Sequence, residues 1–302
     1  MNGEDRRNTV GFVGLGQMGA PMAENILKRG YRLVAYDIEK PKIERAVSLG
    51  AQAASGPADT ARRASTLISM VGTTAQAEAV IGGPDGFIET AQPGDVIISM
   101  STIDLTALRR MQPKLAERGI DLLDAPVTGM EKGARAGTLN AYVGGDAAAL
   151  ERVRPVLQAM TAEITHFGAL GQGTAMKLVN NMLMQVNRVL IAEALALGAK
   201  AGLDPMQMVE TISKTTGNSV AFQYSAPSIF GRDFDGIRME ITCKDIELQV
   251  ALAKSLGMPM FMASMALRVY EMGKAMELGA KDAASIVTLY EQWTSVPVVP
   301  RA

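Results

Sequence analysis

Three glycines fix the opening of this chain more tightly than anything else in it. Gly14-Leu15-Gly16-Gln17-Met18-Gly19 follows the β-branched run Thr9–Val13 and leads straight into an amphipathic stretch, residues 19–29. In a strand–turn–helix context each glycine has its own reason: Gly14 permits the tight turn, Gly16 lets a pyrophosphate approach the backbone, and Gly19 allows helix and strand to pack closely. Phosphates would sit on the helix N-terminus, cradled by residues 14–19, where unpaired N–H groups and the helix dipole favour negative charge. Asp37, just after the second β-branched run, Arg32–Tyr36, stands at the separation that a ribose-binding carboxylate needs. Such a carboxylate accepts from a ribose 2′-OH and repels a 2′-phosphate, so NAD is favoured over NADP. Lys40 and Lys42 nearby keep NADP open.

The rest of the first half continues the same rhythm. Short apolar runs at 9–13, 32–36, 66–71, 96–100, 120–123, 139–143 and 164–167 alternate with helical stretches such as 19–29, 40–49 and 106–118, the pattern of a parallel sheet covered by helices. After Gly173 the strand signals nearly vanish, and residues 174–201 predict one helix of about 28 residues, roughly 42 Å long at 1.5 Å per residue. Further helices are predicted at 204–214, where Asp204-Pro205 is a start signal, and at 244–255, 260–276 and 283–294. The expected fold is an α/β Rossmann-type N-terminal domain, residues 1–168, and an all-α C-terminal domain, residues 169–302, joined by the long helix. Residues 1–8 and 298–302 are expected to fray.

Composition removes several classes of function. With 30 Lys plus Arg against 31 Asp plus Glu, the chain has no summed basic field to hold nucleic acid or anionic lipid. Its single cysteine, Cys243, forms no internal disulfide, and no signal-peptide stretch precedes the first strand; a cytoplasmic location is expected. The most apolar later segment, 189–203, is interrupted by Glu193 and Lys200 and reads as a buried helix too short to cross a bilayer. No cluster has metal-ligand spacing. His166, the sole histidine, has no relay partner and reads as structural, as do most of the 20 methionines.

Four segments in order carry a resemblance beyond a generic dinucleotide fingerprint. They are Gly11-Phe12-Val13-Gly14-Leu15-Gly16-Gln17-Met18-Gly19-Ala20-Pro21-Met22-Ala23; Asp124-Ala125-Pro126-Val127-Thr128-Gly129 with Gly137-Thr138-Leu139; Gly171-Gln172-Gly173 with Lys177 and Asn180-Asn181; and Lys244-Asp245. Over essentially its whole length the chain resembles the β-hydroxyacid dehydrogenase family. The resemblance implies hydride transfer between NAD and a small hydroxy acid or semialdehyde, with Lys177 as catalytic acid/base. It further implies that Asn181 and Lys244 lie at the substrate, Lys244 also near the nicotinamide, that Thr102 faces the nicotinamide ribose, and that subunits pair through the long helix as a homodimer or homotetramer. Thr128, Gly129 and Met130 would meet the substrate carboxylate. Where the family usually has Ser-Gly-Gly, this chain keeps a hydroxyl at Thr128 but puts bulk in place of a glycine at Met130. It also has Val71-Gly72 where the family often has Leu-Pro.

The residues make the same chemistry intelligible. Oxidation of an alcohol needs a base and reduction of a carbonyl needs an acid, and one lysine serves both. An ordinary lysine titrates near 10.4, so bringing it near 7.5 requires about 4 kcal/mol from burial or from a neighbouring cation such as Lys244. Lys177 and Asn181, four apart, project from one helix face toward one substrate oxygen, whereas Asn180 lies about 100° round and suits a supporting role. The other reading of Lys244-Asp245 is a helix N-terminal turn, with Asp245 on the dipole. Ser219 lies in a polar turn, open to two readings: a cover for the substrate or a plain loop serine. A larger dicarboxylate, a sulfonate or a semialdehyde substrate stays open, and so does a non-catalytic NAD(P)-binding oligomerisation module. An imine reductase fits less well, because such relatives generally lack the lysine kept here.

Overall fold

The structure, a computed structural model, describes residues 3–299. Among the described residues nine strands are present: β1 (Thr9–Val13), β2 (Arg32–Tyr36), β3 (Gln52–Ala53), β4 (Thr66–Ser69), β5 (Val96–Ser99), β6 (Asp121–Asp124), β7 (Val127–Thr128), β8 (Leu139–Val143) and β9 (Thr161–His166). The first six form one sheet in the order β3-β2-β1-β4-β5-β6, every neighbouring pair parallel. Side chains alternate across it. Phe12, Ile68, Ile98 and Leu123 enter one buried cluster, while Leu67, Ile97 and Leu122 enter another. A sheet buried on both faces must be covered by helices on both, which is why its strands read as continuous apolar runs. Each such fully buried side chain contributes roughly 1.5–3 kcal/mol relative to exposure.

The strand order reverses about β1, whose neighbours are β2 and β4. In such sheets ligands bind outside the carboxyl ends of the strands at the reversal, and the glycine turn leaves β1 there. One expectation needs correction: β8 and β9 do not extend the parallel sheet. They form a second sheet with β7, in which β7 and β8 are antiparallel and β8 and β9 parallel. Asp124 pairs with Gly144 as an isolated bridge, so the end of β6 is stitched to the residue after β8.

The second half is helical. Gln172–Lys200 is a single helix of 29 residues, followed by helices Pro205–Ile212, Val220–Gly231, Met239–Ser255, Phe261–Ala275 and Val287–Thr294. Val189, Ala192, Leu195 and Ala196 of the long helix share a core with Phe222, Ile229, Ile246, Leu267, Tyr270 and Val287. Compactness divides the chain into residues 1–177 and 178–302.

Two further expectations change. The chain start is tied down: Gly3–Arg7 is helical, and the Arg6 guanidinium donates to both Asp95 oxygens and to the carbonyls of Ala61 and Arg62. Near the other end Val298 is buried, and its N–H donates to Glu291 at 2.7 Å. Residues 1–2 and 300–302, also expected to fray, lie outside the described residues. The apolar segment 189–203 lies, up to Lys200, in the helix Gln172–Lys200, which is by length and composition long enough to cross a membrane. That helix nevertheless buries Arg188 and Gln185, with Ser225, Asp282, Asp245 and Gln249 as partners, in the helical core.

Candidate active site

The glycine loop is held by contacts that only glycine admits. Gly14 has φ +100°, and a Cβ there would lie 2.2 Å from the carbonyl oxygen of Met70, the residue after the neighbouring β4. A Cβ on Gly19 would lie 1.9 Å from the Gly14 carbonyl oxygen, so the helix Gly19–Lys28 starts pressed against the turn. Around a Cβ on Gly16 there is nothing within 4 Å. That open space before a helix N-terminus is what a pyrophosphate requires, and the loop fits NAD.

Asp37 is buried and already at work. Its Oδ2 accepts the Leu15 N–H at 2.7 Å and its Oδ1 the Glu39 N–H at 2.9 Å. An ionised carboxylate has about four lone-pair sites, so two remain for a ribose. Lys42, a candidate for holding a 2′-phosphate, is paired with Glu39, and that hydrogen bond raises its pKa. Gln17 is exposed and donates to Glu131 at 2.7 Å, tying the glycine loop to the residue after Met130. That hydrogen bond, with the Arg135 pair, lowers the Glu131 pKa.

After β5, Ser101 is buried and accepts the Val71 N–H at 2.8 Å, which pins the loop following β4; Thr102 beside it is half-buried. Thr128 ends β7, Gly129 is exposed with φ +126°, and Met130 is half-buried with φ +57° at the start of helix Met130–Ala136. Lys177 is half-buried in the second turn of the long helix. The first turn is held by Asp124, whose carboxylate accepts from the Gly171 and Thr174 N–H groups, both at 2.6 Å.

Within residues 178–302 a separate polar group gathers. Asn181 Nδ2 donates to Asp245 Oδ2 at 2.8 Å, and Lys244 Nζ lies 3.1 Å from Asp245 Oδ1. Gln185 donates to the same Asp245 oxygen at 3.4 Å and accepts from Gln249 at 2.7 Å. Asn181 and Lys244 thus meet through Asp245. The helix begins at Met239, so Lys244-Asp245 is not a helix-start turn, and Asp245 serves side chains rather than the dipole. Ser219 caps the helix Val220–Gly231 by accepting the Phe222 N–H at 3.0 Å, which accounts for it locally. Cys243 is buried, and burial pushes its thiol up to about 11, so it is neutral at physiological pH and no nucleophile.

Comparison with known proteins shows which family the chain belongs to. Residues 9–168 match the family described as the NAD binding domain of 6-phosphogluconate dehydrogenase, and residues 171–290 the family described as NAD-binding of NADP-dependent 3-hydroxyisobutyrate dehydrogenase. The chain is 38% identical to 2-(hydroxymethyl)glutarate dehydrogenase of Eubacterium barkeri, over 96% of its own length and 97% of that protein's. The chain belongs to the β-hydroxyacid dehydrogenase family. It is an NAD-dependent oxidoreductase of small hydroxy acids, of the 3-hydroxyisobutyrate dehydrogenase type. Another relative, NAD-dependent L-serine dehydrogenase of Pseudomonas aeruginosa, is 35% identical over 93% of this chain and 97% of that one. The solved structure of Mycobacterium tuberculosis 3-hydroxyisobutyrate dehydrogenase with L-serine has a TM-score of 0.85 at 30% identity, covering 94% of this chain and 99% of that chain. The family resemblance carried by the four motifs and the fold class expected from the strand–helix rhythm are both borne out.

Proposed function

We propose that this dehydrogenase oxidises a 3-hydroxypropanoate carrying a small substituent at carbon 2, with Lys177 taking the proton from the terminal hydroxyl. The substrates named for the relatives share this skeleton: 3-hydroxyisobutyrate, serine and 2-(hydroxymethyl)glutarate each have a hydroxymethyl group on the carbon that bears a carboxylate, and differ in the third substituent. Bound NAD would supply the acceptor for the hydride that leaves the hydroxymethyl carbon. Lys177 removes the hydroxyl proton and returns it in the reverse direction. Asn181, one turn further along the helix, supports the same oxygen; Lys244 supplies positive charge near the carboxylate; Thr128 and Gly129 donate to it. Met130 sets the room left for the substituent at carbon 2.

On the cofactor side, Gly14, Leu15, Gly16, Gln17, Met18 and Gly19 hold the pyrophosphate, Asp37 the adenosine ribose, and Thr102 and Lys244 the nicotinamide end. Residues 1–168 serve as the dinucleotide-binding domain and 169–302 as the domain for substrate and oligomerisation. The enzyme works in the cytoplasm as a homodimer or homotetramer.

The observation that carries this reading is the half-buried Lys177, one turn beyond a helix start that a buried carboxylate anchors to the Thr128 segment. The test is cofactor reduction, followed by absorbance, with 3-hydroxyisobutyrate, serine, 2-(hydroxymethyl)glutarate and the 2-hydroxy acid lactate, each with NAD and NADP. NAD reduction is expected with at least one of the first three and not with lactate, and Lys177→Ala is expected to lower kcat by about 10²–10⁴-fold, the usual contribution of general acid–base catalysis. Undiminished turnover by Lys177→Ala would remove the lysine from the chemistry.

A further inference from the structure

Asp124 ends β6 with no exposed surface, and the chemistry above does not use it. Its two oxygens serve one element, Oδ1 accepting from Gly171 N–H and Oδ2 from Thr174 N–H. These N–H groups lie at the start of Gln172–Lys200, where the first turn leaves donors that the helix itself cannot satisfy. A helix usually finds such a cap in the residue just before it. Here the cap lies 47 residues before Gly171 and 50 before Thr174, at the end of β6.

The carboxylate has little freedom to move. The Asp124 N–H donates to the Gly144 carbonyl at 3.0 Å, and the Asp124 carbonyl accepts from the Gly144 N–H at 2.8 Å. A Cβ on Gly144 would lie 2.4 Å from Asp124 Oδ1, and one on Gly173 would lie 2.1 Å from the Tyr142 carbonyl oxygen, so strand, carboxylate and helix start are packed backbone to backbone. Burial pushes the Asp124 pKa up, against the hydrogen bonds from Gly171 and Thr174 that favour the ionised form. Keeping a carboxylate in so dry a place has a cost, which the two donated hydrogen bonds offset only while the helix start stays in place. On one side of this clamp the chain runs through Ala125 and Pro126 to Thr128; on the other, Lys177 follows Thr174 by three residues.

We propose that Asp124 is a positioning residue for Lys177, fixing the height and rotation of the helix turn that carries the ammonium group relative to the segment that carries Thr128. This rests on Lys177 being the acid/base. A displacement of 1 Å in a reacting group can cost about 10²-fold in rate, so a clamp of this kind acts on kcat.

The experiment compares wild type, Asp124→Asn, Lys177→Ala and the double variant as full-length enzyme, with the best hydroxy acid of the panel above. Asparagine keeps one acceptor oxygen but turns an NH₂ group toward a backbone N–H, breaking one hydrogen bond of the clamp. Asp124→Asn is expected to lower kcat by about 10–100-fold. NAD affinity and substrate KM should stay within about twofold of wild type, as for an interaction that matters only in the transition state. In the Lys177→Ala background, with the rate restored by added methylamine, the Asp124 substitution should have no effect, because nothing remains for it to position. An equal loss of rate in that background, or a kcat unchanged by Asp124→Asn, overturns the proposal. A Lys177→Ala enzyme that is fully active without amine overturns the lysine reading itself. Should Asp124→Asn not fold, Thr174→Pro removes one donor at a position where proline is tolerated and carries the same comparison.

Discussion

Met130 sits at φ +57°, a left-handed backbone conformation that costs an L side chain roughly 1–2 kcal/mol. It follows Gly129, itself at φ +126°, so two successive positive-φ residues lead into the helix Met130–Ala136. The family habit of a glycine here is therefore a matter of backbone as well as room, and this chain keeps the backbone while adding a thioether. Alanine and glycine separate the two effects. Met130→Ala keeps the conformational cost and loses the side chain; Met130→Gly loses both, and is expected to be about 1 kcal/mol more stable than Met130→Ala in urea unfolding. Both should lower KM for 2-(hydroxymethyl)glutarate relative to 3-hydroxyisobutyrate if Met130 limits the substituent at carbon 2; an unchanged ratio would exclude it from that role. Met130 stood out in the sequence because it broke a local pattern. The contacts that Asp124, Asp245 and Glu131 make to Gly171 and Thr174, Asn181 and Gln17 did not show there, since those partners lie 47–50, 64 and 114 residues away, and no local spacing reports a contact of that range.

At the scale of the element, the glycine loop separates fold from function. Gly19→Ala would place a Cβ 1.9 Å from the Gly14 carbonyl oxygen, so turn and helix must move apart; both the melting temperature and NAD affinity should fall. Gly16→Ala meets nothing within 4 Å, so the melting temperature should hold while the KM for NAD rises about tenfold or more, because the methyl group enters space meant for the pyrophosphate. If Gly16→Ala melted early with normal NAD affinity, the loop would have been misread. The elements most legible in the sequence are those with long periods or firm punctuation. Residues 174–201 predicted the long helix to within two residues at either end, and β1, β2 and β8 fall where expected. The helix Val220–Gly231 went unrecognised because its cap, Ser219, closes a run of turn-forming residues and Pro227 interrupts its interior. The second sheet was illegible for a different reason: strand propensity shows that residues 139–143 are extended, but not which strand lies beside them.

For the whole molecule, the long helix raises a question of surface. Val179, Leu183, Leu190 and Leu197 are each more than half exposed and follow one another at intervals of four, seven and seven residues. At 100° per residue all four fall within about 40° of one another around the helix, a single apolar seam opposite the side that packs into the core. A seam of leucine and valine left in water is costly, at roughly 1.5–3 kcal/mol for each large side chain that a partner would bury. A second copy of the chain presenting the same seam would remove that cost, as self-complementary interfaces do. Wild-type enzyme at micromolar concentration is therefore expected to scatter light as a dimer or tetramer, and Leu190→Glu with Leu197→Glu as a smaller species, with far-ultraviolet circular dichroism unchanged. Because the seam and Lys177 share one helix, dissociation should also make activity depend on enzyme concentration: the paired variant would lose specific activity on dilution at concentrations where wild type does not. A wild type that sediments as a monomer, or a charged variant that still sediments with it, would mean that this face is covered by something other than its own copy.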